Sequence, residues 1–236
     1  MTEYVFNPPT VPSVAIADEA ARFPVRRIFC VGRNYEAHAR EMGRDPSREA
    51  PFFFTKPADA IIPDGSVVPY PPETANFHYE MELVVAIGRA GFQIPLAAAR
   101  DYIFGYAAGN DLTRRDLQLE ARDKGRPWDW GKAFDDSAVI SPLHRASNIG
   151  HPTSGRIWLA VNGDIKQDQD IADLIWDVEE IVSILSHSMR IQPGDLIYTG
   201  TPAGVGALQV GDEVTGGIEG VASHHITIGA PRTGVA

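Results

Sequence analysis

Cysteine is almost missing from this chain of 236 residues: Cys30 stands alone. A single thiol excludes an internal disulfide framework and any paired-cysteine zinc or redox site, and it fits a reducing compartment. Basic charge is scarce too, with 21 Lys and Arg against 31 Asp and Glu and a formal net charge of −10. That balance argues against a general binder of nucleic acid or anionic membranes. Apolar stretches such as Leu83–Ile87 fall far short of the ~20 residues that a membrane helix needs. The opening MTEYVFNPPTVPSVAIADE lacks a basic start followed by an apolar run, so no secretory signal is expected. The expectation is a soluble, cytoplasmic protein. No P-loop, GxGxxG, GxSxG, HExxH or EF-hand pattern occurs, which removes sequence support for nucleotide-binding, serine-hydrolase, zincin and calcium-sensor readings.

What is present suffices for a sizeable core: 44% hydrophobic and 22% charged residues are ordinary globular values. Twenty-two glycines and 18 prolines, spread throughout, suggest many short elements joined by turns. Pro8, Pro9 and Pro12 oppose regular pairing or helix, so residues 1–22 read as an arm ahead of a domain over 23–236. Strand-like stretches fall at 28–31, 52–55, 67–68, 79–87, 102–109, 156–161, 196–198, 213–214 and 225–228. Asn162-Gly163-Asp164 signals a hairpin. Helix-compatible segments are Tyr35–Met42, ended by Gly43 and Pro46, and Thr113–Lys124. The clearest helix lies between Ile171 and Met189, where Leu174, Ile175, Val178, Ile181, Val182 and Leu185 form one apolar face. Asp177 and Glu180 can cap it, which would start it late in that window. Strands dominate without a regular βαβ alternation, so the expected class is α+β with a mainly β core and few helices.

Five features could carry chemistry. In a strand, Glu80 and Glu82 project to one face, ~6–7 Å apart, with Met81, Leu83 and Val85 on the other. Paired carboxylates beside an apolar run repel each other unless a cation or proton intervenes; the bland alternative is an edge strand with a solvated acidic face. Asn110-Asp111 ends another strand, where Asp111 either caps a helix or adds a third oxygen ligand for a hard divalent cation. His38 and Glu41, at i and i+3, share a helix face, so Glu41 can fix the imidazole tautomer; a surface pair is the plainer reading. Lys132 lies among Trp128, Trp130 and Phe134, a setting for a buried, paired lysine rather than the usual exposed one. Residues 199–206, TGTPAGVG, form either a tight turn or a loop offering N–H groups and a hydroxyl to a carboxylate ligand.

Taken in order, these motifs resemble the fumarylacetoacetate hydrolase superfamily. The matching segments are Val31-Gly32-Arg33-Asn34-Tyr35 with His38 and Glu41, Phe54-Thr55-Lys56-Pro57, and Glu80-Met81-Glu82-Leu83. They continue with Gly105-Tyr106, Asn110-Asp111-Leu112-Thr113, Arg115-Asp116 and Gln118, then Gly131-Lys132 with Phe134-Asp135. Pro193-Gly194-Asp195 and Thr199-Gly200-Thr201-Pro202 with Gly204-Val205-Gly206 complete them. The likeness runs from about residue 26 to the end. It implies a β-roll core, a homodimer, and Mg²⁺ or Mn²⁺ held by Glu80, Glu82 and Asp111. It also implies a His38–Glu41 base dyad, a charged active-site role for Lys132, and substrate contacts at Gln118 and Thr201. Residues 26–35, 114–118 and 125–128 narrow the likeness to bacterial acylpyruvate hydrolases. The implied reaction is C–C cleavage of a 2,4-dioxo acid, with fumarylpyruvate giving fumarate and pyruvate in the gentisate route of aromatic catabolism. Arg33, Arg114 and Arg126 are the candidates for the distal carboxylate of this small dicarboxylate. An oxaloacetate-type decarboxylase or a 2-hydroxy-diene-dioate isomerase is the enzymatic alternative.

Overall fold

The computed structural model describes residues 3–42 and 48–234. The expected helix stop at Gly43 and Pro46 lies outside the described residues. Two sheets make up most of the chain. The larger runs in the order Phe52–Lys56, Arg27–Gly32, Asp195–Tyr198, Met81–Ile87, Ile103–Asp111, Ala138–Ile140, Ile61–Pro63, with His144–Arg145 paired on Ile103–Asp111. The smaller runs Asp164–Asp170, Arg156–Val161, Glu213–Ile218, Ala222–Gly229, Val67–Pro69. The α+β class with a mainly β core is what the sequence led us to expect.

Met81–Ile87 lies between two partner strands and is buried at every residue, with alternate side chains in two core clusters; both of its faces are covered, which explains its almost unbroken apolar composition. Met81, Leu83, Val85 and Ile87 enter the larger core cluster, whereas Val84 and Ala86 enter the smaller one. Glu82 shares its strand face with Val84 and Ala86, by the alternation of side chains. The acidic pair is therefore central and buried, which removes the edge-strand alternative.

Three helices surround the charged end of the sheet: α1 (Glu36–Glu41), α2 (Arg115–Asp123) and α3 (Asp129–Lys132). Thr113 and Arg114, read as helical, instead form a two-residue strand against Phe77–His78. Asp111 caps no helix; it closes the strand Ile103–Asp111. The long amphipathic helix spans Val178–Ser188, and Asp177 and Glu180 form its reciprocal cap. Asn162-Gly163 turns Arg156–Val161 into Asp164–Asp170.

The arm departs from the unpaired segment expected over 1–22. Ser13–Ala15 pairs antiparallel with Arg22–Pro24, and Val14, Ile16 and Phe23 join the smaller core cluster. The arm's prolines all precede this pairing, and among the described residues of the arm the stretch before it, 3–12, is irregular. Burial of Val14 and Phe23 supplies the reason to pair beyond them.

Candidate active site

Register assembles the three carboxylates. Met81 faces Asn110 and Glu82 faces Gly109, and the Asp111 N–H donates to the Glu80 carbonyl at 2.8 Å. Two adjacent strands thereby bring one oxygen each from Glu80, Glu82 and Asp111 within 4.8 Å of one another. All three residues are buried, at 5%, 2% and 0% exposure.

Such a cluster needs compensating charge, and three cations supply it. From α3, Lys132 Nζ lies 2.7 Å from Glu80, 2.8 Å from Asp111 and 2.7 Å from the Thr113 hydroxyl. Lys56 Nζ stands 2.8 Å from the other Asp111 oxygen and also donates to the carbonyls of Leu112 and Lys132. Arg115, opening α2, pairs with Glu80 and donates to the Gln118 side-chain oxygen. A hydrogen bond to His78 at 3.4 Å supports that guanidinium, and His78 in turn bonds Asn76 at 2.8 Å.

The compensation is uneven. Glu80 has Lys132 and Arg115, and Asp111 has Lys132 and Lys56; Glu82 has the Gly200 N–H at 2.7 Å and, among the described residues, no cation. Burial works against ionised Glu80, yet Lys132 and Arg115 overcome it and hold that carboxyl well below the usual range. Burial, then the neighbouring Asp111 and Glu80, push Glu82 well above it. Burial likewise opposes the Lys132 ammonium, and Asp111 and Glu80 outweigh that and raise it. An uncompensated buried carboxylate beside two others is what a hard divalent cation would satisfy, so the oxygen donor set fits such an ion.

Across the cleft, His38 Nδ1 lies 3.0 Å from Glu41 one turn later on α1. The Gly204 N–H lies 3.2 Å from both Glu41 oxygens. Burial raises Glu41, but His38 and Gly204 together bring it below its ordinary value. Gly204 has φ of 96°, and a Cβ there would stand 2.0 Å from the Lys166 carbonyl oxygen, so this approach requires glycine. The 199–206 loop thus gives its Gly200 and Gly204 N–H groups to Glu82 and Glu41, two of the protein's own carboxylates.

His38, Glu80, Glu82, Lys132, Gln118 and Thr201 line one cleft, and Arg33 stands on its wall. Arg33 lies over the Phe52 ring at 5.3 Å. The other two arginine candidates lie elsewhere: Arg114 stacks on Phe134 at 4.3 Å, and Arg126 is exposed beyond the end of α2. Neither lines this cleft. Thr201 accepts a hydrogen bond from Gln167 at 2.8 Å, and Gln167 also accepts from the Met81 N–H. Sequence reasoning gave no role to Lys56, Arg115 or Gln167. Lys56 and Arg115 fell within quoted motifs, whereas Gln167 sits in the polar strand DIKQDQD without a local signal.

Fold and site together define a metal-site enzyme of the fumarylacetoacetate hydrolase type. Residues 27–233 match the family model Fumarylacetoacetate (FAA) hydrolase C-terminal, and the chain belongs to that family. It is 50% identical over 190 residues, 80% of this chain and 98% of the relative, to a fumarylpyruvate hydrolase of Ralstonia. It is 43% identical over 198 residues, 84% of this chain and 89% of the relative, to a mitochondrial oxaloacetate tautomerase of Rattus norvegicus. A crystal structure of fumarylpyruvate hydrolase from Pseudomonas aeruginosa, in complex with Mn²⁺ and pyruvate, matches with a TM-score of 0.95 and 51% identity, over 97% of this chain and 100% of that one.

Proposed function

We propose that this chain is a divalent-metal-dependent hydrolase of acylpyruvates that cleaves fumarylpyruvate to fumarate and pyruvate. The carrying observation is one cleft lined by His38, Glu80 and Glu82, with Asp111 completing an oxygen-donor triad behind it and Glu41 bonded to the His38 ring. Similarity to the Ralstonia and Pseudomonas enzymes supports the substrate. Glu80, Glu82 and Asp111 would hold the ion; Mg²⁺ is our first choice and Mn²⁺ the alternative, because both take oxygen donors and leave positions for water or substrate. When bound, the ion supplies Lewis-acid stabilisation of the enolate oxygen.

The residues then divide the remaining work. Glu41 fixes the His38 ring through Nδ1, which leaves Nε2 to take a proton from water as the water oxygen attacks the 4-oxo carbon. The tetrahedral oxyanion needs a donor. Lys132 spends its three N–H groups on Glu80, Asp111 and Thr113, so the task falls to the Gln118 amide NH₂, whose oxygen is already taken by Arg115. Lys132 instead holds two triad carboxylates in place. The C3–C4 bond breaks, its electron pair passes to C3 as pyruvate enolate, and His38 returns the proton there. A homodimer, a place in gentisate breakdown and a cytoplasmic location complete the proposal, on the strength of the family resemblance.

The second reading, keto–enol tautomerisation of oxaloacetate, is favoured by the rat relative. Absorbance decay of fumarylpyruvate with Mg²⁺, with and without chelator, separates the two when run beside acetylpyruvate and oxaloacetate. Chelator-sensitive decay with one pyruvate per substrate is the expected result. Action on oxaloacetate alone would move the assignment to the second reading.

A further inference from the structure

The cleft extends beyond the triad along one face of α2. Arg115, Gln118, Leu119 and Arg122, at i, i+3, i+4 and i+7, all line it. Arg115 and Gln118 mark the inner end, since Arg115 is paired with Glu80. Seven residues of helix place Arg122 about 10 Å further along the axis. A seven-carbon diacid such as fumarylpyruvate measures about 8 Å between its terminal carboxyl carbons, from ordinary bond lengths. With its 2-oxo-acid end at the triad, its far carboxylate therefore comes within hydrogen-bonding reach of the Arg122 guanidinium. Leu119, Phe54 and Trp128 flank the path between, and Trp128 packs against Phe52 and Phe54 at 5.1 and 5.7 Å. Those walls suit the flat, apolar carbons of an enoyl chain.

We propose that Arg122 is the specificity-determining residue that receives the distal carboxylate of a dicarboxylic acylpyruvate. The assignment rests on the acylpyruvate reading above and names the feature that selects among acyl groups. Arg122 is suited to the task in three respects. Its side chain is 28% exposed, so it reaches the cleft while remaining solvated when no ligand is there. Its ion pair runs through Nε to Asp123 at 2.9 Å, a neighbour with a 65% exposed side chain, so among the described residues the two Nη groups stay available for a planar carboxylate. The Asp123 contact is a weak exposed pair that holds the guanidinium without neutralising the cleft. Arg115 cannot serve, because Glu80 and Gln118 occupy it.

The test compares kcat/KM for fumarylpyruvate with kcat/KM for acetylpyruvate, which lacks the distal carboxylate. The wild-type protein should prefer fumarylpyruvate, and Arg122→Gln should lower that preference by about 10- to 100-fold. The loss should come through KM for fumarylpyruvate, with acetylpyruvate turnover within twofold of wild type. Arg122→Lys, which keeps the charge without the planar fork, should recover part of the preference. An unchanged preference in Arg122→Gln overturns the assignment and leaves the hydrolase reading standing, as does a loss that follows Arg33→Gln instead. A wild-type protein that cleaves neither acylpyruvate overturns the hydrolase reading and this assignment with it.

Discussion

On one side of the cleft, Glu80, Glu82 and Asp111 occupy adjacent central strands and are wrapped by Lys132, Lys56 and Arg115. On the other, His38 and Glu41 ride on a six-residue helix that has no side-chain cap at its N-terminus, tied down by one glycine N–H. The first side is a closed set of buried charges, in which Glu80, Asp111 and three cations keep one another from being stranded and Glu82 alone has no cation among the described residues. The second carries few structural obligations beyond its own hydrogen bond. Residues of the first should therefore register in stability and metal affinity, and residues of the second in turnover.

The sharpest way to break that contrast is Lys132→Met, which removes an ammonium shared by Glu80 and Asp111. Leaving buried carboxylates short of a partner costs about 3–5 kcal/mol. Denaturant unfolding of the metal-free protein should show a loss of that size. A change below about 1 kcal/mol would mean that Lys56 and Arg115 suffice, and the closed-set description would fail. Next in size is His38→Ala. Loss of a general base should lower kcat by about 10²- to 10⁴-fold, while metal titration and unfolding midpoint stay near wild type. Full activity in this variant would remove His38 from the mechanism, and a large stability loss would erase the distinction between the two sides.

Glu82 sharpens the comparison within the buried side, because it alone lacks a cation among the described residues. A carboxyl raised by burial and by Asp111 and Glu80 holds a proton in the metal-free protein at higher pH than an ordinary glutamate would. Metal binding must displace that proton, so apparent affinity should fall as pH is lowered, and from a higher pH than the usual carboxylate range. Calorimetry in buffers of different ionisation enthalpy measures the released proton directly. Glu82→Gln should abolish the release and weaken binding by about 100-fold, the upper end of what even an outer partner's loss costs. The metal-free variant should be no less stable than wild type, because a neutral amide replaces a carboxyl whose charged form burial and the two neighbouring carboxylates already disfavour. Proton release that persists in the variant would show that another group carries it.

The difference between the two sides also governed what could be read in the sequence. Strand periodicity placed Glu80 and Glu82 on one face, and helix spacing paired His38 with Glu41, because both are local relations. The joining of Asp111 to Glu80 depends on the register between two strands, which spacing does not encode. Lys56 and Arg115 act through contacts at sequence separations of 55 and 35 residues, and a lone lysine or arginine gives no local sign of burial. Gln167 is further removed still, since its strand belongs to the other sheet and its role is to fix Thr201 and the Met81 backbone. Pro12 misled in the opposite sense. It signalled an absence of regular pairing that holds over residues 3–12, while Val14 and Phe23 found burial just past it.

The smallest effect expected is that of Glu41→Gln. The amide keeps the shape of the carboxylate and can still accept a hydrogen bond from His38, but it cannot offset positive charge forming on the imidazole as the proton moves. The Gly204 N–H contact loses its charge assistance as well, a change worth less than a full hydrogen bond. A kcat decrease of about tenfold with KM unchanged is the expected outcome, since the loss falls where charge develops and not in ground-state binding. A KM increase of similar size with kcat intact would instead show that Glu41 shapes the substrate pocket. The Glu41 carboxylate would then belong to the pocket wall, and α1 would prove as constrained as the strands it faces.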